Sequence, residues 1–182
     1  TFDDGYKNIL TNALPLLKKR DWPFTIFVST KFVGISKSYL SWEDLHYLKQ
    51  NGATIGNHTH SHAHLVRRGE NEIEAEWLAR VESEIITAKE ILNTKGHNSG
   101  VFAYPYGEYN KEVRDIIRKL GMIGFGQQSG AIGPDSDPLI LPRFPLAGAY
   151  TGIQALKDKL GSLAMPLETR YQPPLILSLI HI

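Results

Sequence analysis

Between residues 6 and 20 the apolar positions Ile9, Leu10, Ala13, Leu14 and Leu17 recur three or four apart, the spacing of one helix face. Pro15 lies inside that stripe without an N–H to give, so a kink or a split is expected there. Lys18, Lys19 and Arg20 suit a helix C-terminus. The period then changes. Phe24-Thr25-Ile26-Phe27-Val28 is short and β-rich, the pattern of a buried strand. Ser41 followed by Asp44 has capping-box spacing and predicts a helix to Gln50, closed by Gly52. Ala53-Thr54-Ile55-Gly56 reads as a second short strand feeding directly into His58. The longest helix is expected over 71–95, with Ile73, Trp77, Val81, Ile85, Ala88 and Leu92 on its apolar face and Gly96 as its stop. Val101-Phe102-Ala103-Tyr104 predicts a strand ending in a Pro-Tyr-Gly turn. Asn110 caps a helix carrying Val113, Ile116, Ile117 and Leu120, ended by Gly121. A strand at 123–126, a Gly/Pro/Asp-rich loop at 130–138, a strand at 139–141 and a helix at 152–162 complete the pattern.

Strands alternating with helices predict an α/β fold, with parallel strands and helices outside. In such folds the chemistry collects on loops at the carboxyl ends of the strands. Asp3, Asp4, His58, Tyr106 and Arg143 each follow a predicted strand. At 182 residues the chain fits one domain. Its net charge of +1 points to neither nucleic acid nor an anionic surface. No run of about 18 apolar residues exists to span a bilayer. With 0 cysteines there are no disulfides and no thiolate ligands, which leaves His and carboxylates for any metal. The chain opens without Met, at what reads as the end of a strand, so a single domain over 1–182 lacking its first strand is expected. The tail 173–182 stops without a turn or a polar end and reads as a truncation or as foreign sequence.

His58 and His62 stand four apart, which brings two imidazoles to one side of a helical or similarly curled segment. Asp4 can add an oxygen ligand. Three protein ligands leave a position open, the arrangement of a catalytic metal site. Mixed N/O ligation suits Zn²⁺, with Co²⁺, Ni²⁺ or Mn²⁺ also compatible. The bland alternatives are a solvated loop carrying His58, His60, His62 and His64, and an Asp-Asp-Gly that is only a turn. His60 and His64 are read as bystanders, turned away from the metal by alternation if the segment is extended. Adjacent strand residues point to opposite faces, so Asp3 and Asp4 reach one centre only where the strand ends, and Gly5 permits that turn. Tyr104-Pro105-Tyr106-Gly107 is either a plain aromatic turn or a surface on which a sugar ring stacks.

Thr1-Phe2-Asp3-Asp4-Gly5, His58-Thr59-His60-Ser61-His62 and Phe102-Ala103-Tyr104-Pro105-Tyr106-Gly107 resemble, in order and separation, the first three motifs of the polysaccharide deacetylase family (the NodB homology domain, carbohydrate esterase family four). The resemblance runs to about residue 150. It implies a distorted (β/α) barrel with fewer than eight strand–helix units. It also implies hydrolysis of the acetamide of N-acetylated glycans at a divalent metal held by Asp4, His58 and His62. Asp3 is then the general base, the Tyr106 N–H an oxyanion donor, and Pro105 and Tyr106 the substrate-side residues. The family's third motif carries an Arg that orients the base where this chain has Ala103; Arg143 is the candidate replacement, with a surface arginine beside Pro142 as the alternative. Leu179-Ile180-His181 spells the family's Leu-x-His general acid. The third motif's wording is closest to the biofilm β-1,6-glucosamine exopolysaccharide deacetylases, some of which are permuted and carry that His before the first motif. The resemblance further implies a secreted, periplasmic or cell-surface setting. An amidohydrolase acting on a small non-sugar amide, a carbohydrate-binding pseudoenzyme and a non-catalytic α/β domain are the competing readings.

Overall fold

The computed structural model describes residues 1–146, 151–161 and 179–181. Four strands, β1 (Phe24–Val28), β2 (Ala53–Asn57), β3 (Val101–Ala103) and β4 (Ile123–Phe125), form one parallel sheet in the order β1-β2-β3-β4. Phe2 bridges Ile26 on the outer side of β1, and Leu141 bridges Phe125 on the outer side of β4. The order in space therefore follows the order in sequence, and every carboxyl end points the same way. A separate parallel pair joins β5 (Phe144–Pro145) to β6 (Leu179–His181).

The helices are α1 (Leu14–Lys18), α2 (Trp42–Gln50), α3 (Glu74–Thr94), α4 (Lys111–Lys119) and α5 (Ile153–Gly161). Pro15 splits the first helical stretch as its chemistry requires: a wide π-type turn over Ile9–Ala13 precedes α1. Ser41 and Asp44 form the expected reciprocal cap of α2, with Ser41 N–H donating to Asp44 Oδ2 at 2.8 Å. Asn110 accepts from the Val113 N–H at 3.0 Å and opens α4. Two expectations are corrected. Ile73 does not join the core stripe; it precedes the first turn of α3 and is 63 % exposed. The segment 139–141 is not a strand, because a turn takes the Ile140 N–H onto Asp137 O and leaves only Leu141 in the ladder.

Strand alternation sorts the core into layers. Phe24, Ile26 and Val28 face α2 and the first helical segment together with Leu45, Leu48 and Ile55. Phe102 and Tyr104 join Trp77, Val81, Ile85, Val113 and Ile117 under α3 and α4. On the opposite face Phe27, Ala103 and Phe125 cluster with Leu141. Gly56 permits this third cluster: a Cβ there would stand 2.5 Å from the Phe27 ring.

His97, which follows α3, is 3 % exposed, and neither ring nitrogen has a hydrogen-bond partner. Its ring lies 4.8 Å from that of His46 and nearly parallel to Trp42. Burial, then the neighbouring His46 and Lys49, lowers its pKa to about 4 from 6.5. Between those values the unfolded chain takes up a proton that the folded chain refuses. The stability of a neutral His97 is thus complete above pH 6.5 and declines toward pH 4. Urea denaturation of His97→Phe is expected to show a shallower loss of midpoint between pH 7 and about pH 4.5 than the parent; equal slopes would contradict it.

Candidate metal and catalytic centre

The site is assembled where the strands end. Phe2 is held by backbone bonds to Thr25 O and from the Phe27 N–H, both 2.8 Å. Immediately beyond it the backbone reverses: Asp4 has φ 67°, Gly5 has φ 75°, and Gly5 N–H returns to Asp3 O at 2.9 Å. The reversal sends the two neighbouring carboxylates in different directions.

Asp4 Oδ1 lies 3.2 Å from His62 Nε2 and 3.5 Å from His58 Nε2. One donor atom from each of these three residues lies within 4.8 Å of the others. Metal–ligand bonds of about 2.0–2.1 Å in tetrahedral geometry place neighbouring donors about 3.3 Å apart, a spacing that the two Asp4–His separations match. His58 is 1 % exposed, and its Nδ1–H donates to Ala103 O at 2.8 Å, which leaves Nε2 facing Asp4 with its lone pair free for a ligand bond. Burial acts to raise the Asp4 pKa, but the hydrogen bonds and charges of His58 and His62 outweigh it and hold the carboxyl well below the usual range.

Asp3 is 1 % exposed and faces Arg143, also 1 % exposed. The guanidinium grips the carboxylate with both forks, Nη1 to Oδ1 at 2.7 Å and Nη2 to Oδ2 at 2.9 Å, while Nε donates to Gly126 O at 2.8 Å. Arg143 is therefore no surface arginine. It lies 5.5 Å over the Phe27 ring, in whose cluster Ala103 packs. Asp3 Oδ2 is 3.9 Å from His58 Nε2, beside the donor set.

The histidine loop is curled rather than helical. Thr59 (φ 67°) and His62 (φ 58°) take left-handed conformations, rare for a β-branched residue such as Thr59. Side chains hold them there: Asn57 Oδ1 accepts from Thr59 N–H at 2.8 Å and Thr59 Oγ1 from His62 N–H at 3.0 Å. Glu84 of α3 accepts from both the N–H (2.8 Å) and the hydroxyl (2.7 Å) of Ser61. Asn57 and Glu84 were not candidates from sequence; the available signals were an Asn closing an apolar strand and an acid beside Ile85 on the core face of α3. His60 and His64 do turn away, His60 to Thr30 Oγ1 and His64 to Glu108 Oε2, both at 2.9 Å.

Pro105 is buried and opens the turn Pro105–Gly107, within which Tyr106 has φ 57°. The half-exposed Tyr106 ring stacks on His64 at 3.8 Å and meets the edge of His62 at 4.5 Å. The backbone of Leu179–His181 runs beside β5, while the His181 side chain lies outside the described residues.

The polysaccharide deacetylase family model matches residues 1–124. The chain belongs to that family. Among its relatives is the poly-β-1,6-N-acetyl-D-glucosamine N-deacetylase of Staphylococcus epidermidis, 31 % identical over 150 residues, covering 78 % of this chain and 52 % of that one. Streptococcus pyogenes deacetylase PplD, solved with acetate, superposes with a TM-score of 0.70 at 26 % identity over 78 % of this chain and 61 % of that one. A de-N-acetylase from Aggregatibacter actinomycetemcomitans shares the fold, with a TM-score of 0.75 at 18 % identity over 87 % of this chain and 72 % of that one. The chain spans about half the length of the curated relatives it matches.

The buried ion pair makes a measurable demand. Arg143→Ala removes the two-pronged partner of a buried carboxylate and is expected to cost about 3–5 kcal/mol of unfolding free energy. Arg143→Lys keeps the charge but not the fork, and should recover only part of that loss in thermal or urea melts. An Arg143→Ala melt matching the parent would show that the pair contributes nothing.

Proposed function

We propose that this chain carries the catalytic centre of a metal-dependent N-deacetylase that hydrolyses the acetamide of N-acetylated glycans. The observation that supports it most is the division of two adjacent acids: Asp4 converges with His58 and His62, while Asp3 stands beside them in the grip of Arg143. The ligand set would be Asp4, His58 and His62, with Zn²⁺ the best match to its donors and Co²⁺, Ni²⁺ or Mn²⁺ compatible. Such a cation, when bound, supplies Lewis acidity toward the carbonyl and lowers the pKa of a coordinated water. Asp3 acts as general base on the attacking water. Arg143 fixes its carboxylate plane through two parallel hydrogen bonds. The Tyr106 N–H offers a donor to the oxyanion, a contact worth about 3–4 kcal/mol. Its ring, backed by His64, and buried Pro105 shape the substrate side. The sequential strand order extends in this reading to the family's distorted barrel, with the site at its carboxyl end.

The match to a poly-β-1,6-N-acetylglucosamine deacetylase and the half-exposed Tyr106 beside the donor set favour a sugar polymer over a small amide. Polymers of that kind lie outside the cytoplasm, which fits a secreted, periplasmic or cell-surface protein. No helix of the described residues is long and apolar enough to cross a membrane.

The test is acetate release from β-1,6-linked N-acetylglucosamine oligomers with added Zn²⁺. Asp3→Asn is expected to lower kcat by about 10²–10⁴ with Zn²⁺ binding retained, while Asp4→Asn and His62→Ala lose the metal. Undiminished turnover by Asp3→Asn would overturn the base assignment. Faster turnover of a simple acetamide than of the oligomer would favour the small-amide reading.

A further inference from the structure

We infer that Glu84 is a positioning residue for the candidate metal centre, acting through Ser61 to hold the histidine loop in its ligating shape. The inference rests on the metal-site reading above.

Residue 61 lies between the two candidate ligands His58 and His62. It is the point at which the loop is fastened to a rigid element. Glu84 sits within the 21-residue α3, four residues before Ala88 and one before the fully buried Ile85. Its two carboxylate oxygens serve different donors of the same residue: Oε2 takes the Ser61 N–H and Oε1 the Ser61 hydroxyl. Its own backbone carbonyl accepts from the His60 N–H at 3.0 Å. Next along the helix, Ile85 O accepts from Asn57 Nδ2 at 2.9 Å, and Asn57 in turn holds the Thr59 N–H. One turn of α3 thus fixes positions 57, 60 and 61.

The loop has reason to need this. Thr59 and His62 are both left-handed, a conformation that costs free energy for residues other than glycine and persists only where surroundings enforce it. Released from α3, residues 59–62 gain freedom to relax, and the two imidazoles lose their common focus. A carboxylate suits the task because Ser61 presents two donors and a carboxylate has an oxygen for each; a glutamine offers a single acceptor oxygen. Outer partners of this type typically govern metal affinity by about 10–100-fold.

The experiment uses the full chain, stripped of metal, with folding checked by circular dichroism. Zn²⁺ affinity is measured by calorimetry for the parent, Glu84→Gln, Ser61→Ala, the double variant, and Glu82→Gln, a control on the same helix whose acid pairs with Lys119. Backbone amide exchange at residues 59–62 is recorded on the same metal-free samples. Glu84→Gln is expected to weaken Zn²⁺ binding about 10–100-fold and to speed exchange in the loop. Ser61→Ala should do the same in part, the double variant should add little, and Glu82→Gln should match the parent. A Glu84→Gln protein that binds Zn²⁺ within twofold of the parent, or whose loop exchanges at the parent rate, overturns the inference while leaving the metal site standing. A parent that binds no Zn²⁺ overturns both.

Discussion

Two carboxylates on consecutive residues repel one another, and in a site largely closed to water that repulsion would force one of them to keep its proton. The structure escapes this by giving each acid its own partner. The left-handed turn at Asp4 aims one carboxylate at His58 and His62 and leaves the other to the Arg143 fork. Everything else at this end of the sheet serves that separation. Phe2 anchors the approach, Gly5 completes the reversal, and the Phe27 ring, accommodated by Gly56, supports the guanidinium from beneath.

The backbone carries the cost. Among the described residues, five other than glycine have positive φ, and four of them are Asp4, Thr59, His62 and Tyr106. They lie in three loops far apart in sequence, yet they meet at one place. Such conformations persist only where the surroundings enforce them, and restraints lie beside each: Leu40 N–H on Gly5 O, Asn57 and Thr59 on the histidine loop, and the His64 ring against Tyr106.

Much of this was legible along the chain. Helix caps at Ser41 and Asn110, the break at Pro15 and the strands feeding His58 and Tyr106 depend on local chemistry, and local chemistry can be read from neighbouring letters. The candidate trio Asp4, His58 and His62 stood out for a different reason: few residue types bind metal, and their spacing is restrictive. Arg143 could be named but not located, because whether a lone arginine is buried depends on what faces it from 140 positions away. Glu84 went unseen because an acid on a mainly polar helix looks like any other until the loop it holds is in place. The segment 139–141 misled because its apolar letters fit a strand, while Asp137, two positions upstream, draws Ile140 into a turn.

The separation of Asp3 and Arg143 also orders events during synthesis. The acid is made well before its cation, which follows only after four helices have been made. Until then the strands and their helices can pair from neighbour to neighbour, a route of short loop closures, but the pocket around Asp3 closes without the guanidinium that grips its carboxylate. A nascent chain that ends short of Arg143 would hold much of this scaffold without the finished pocket, so the surroundings of Asp3 mature only once Arg143 has been made.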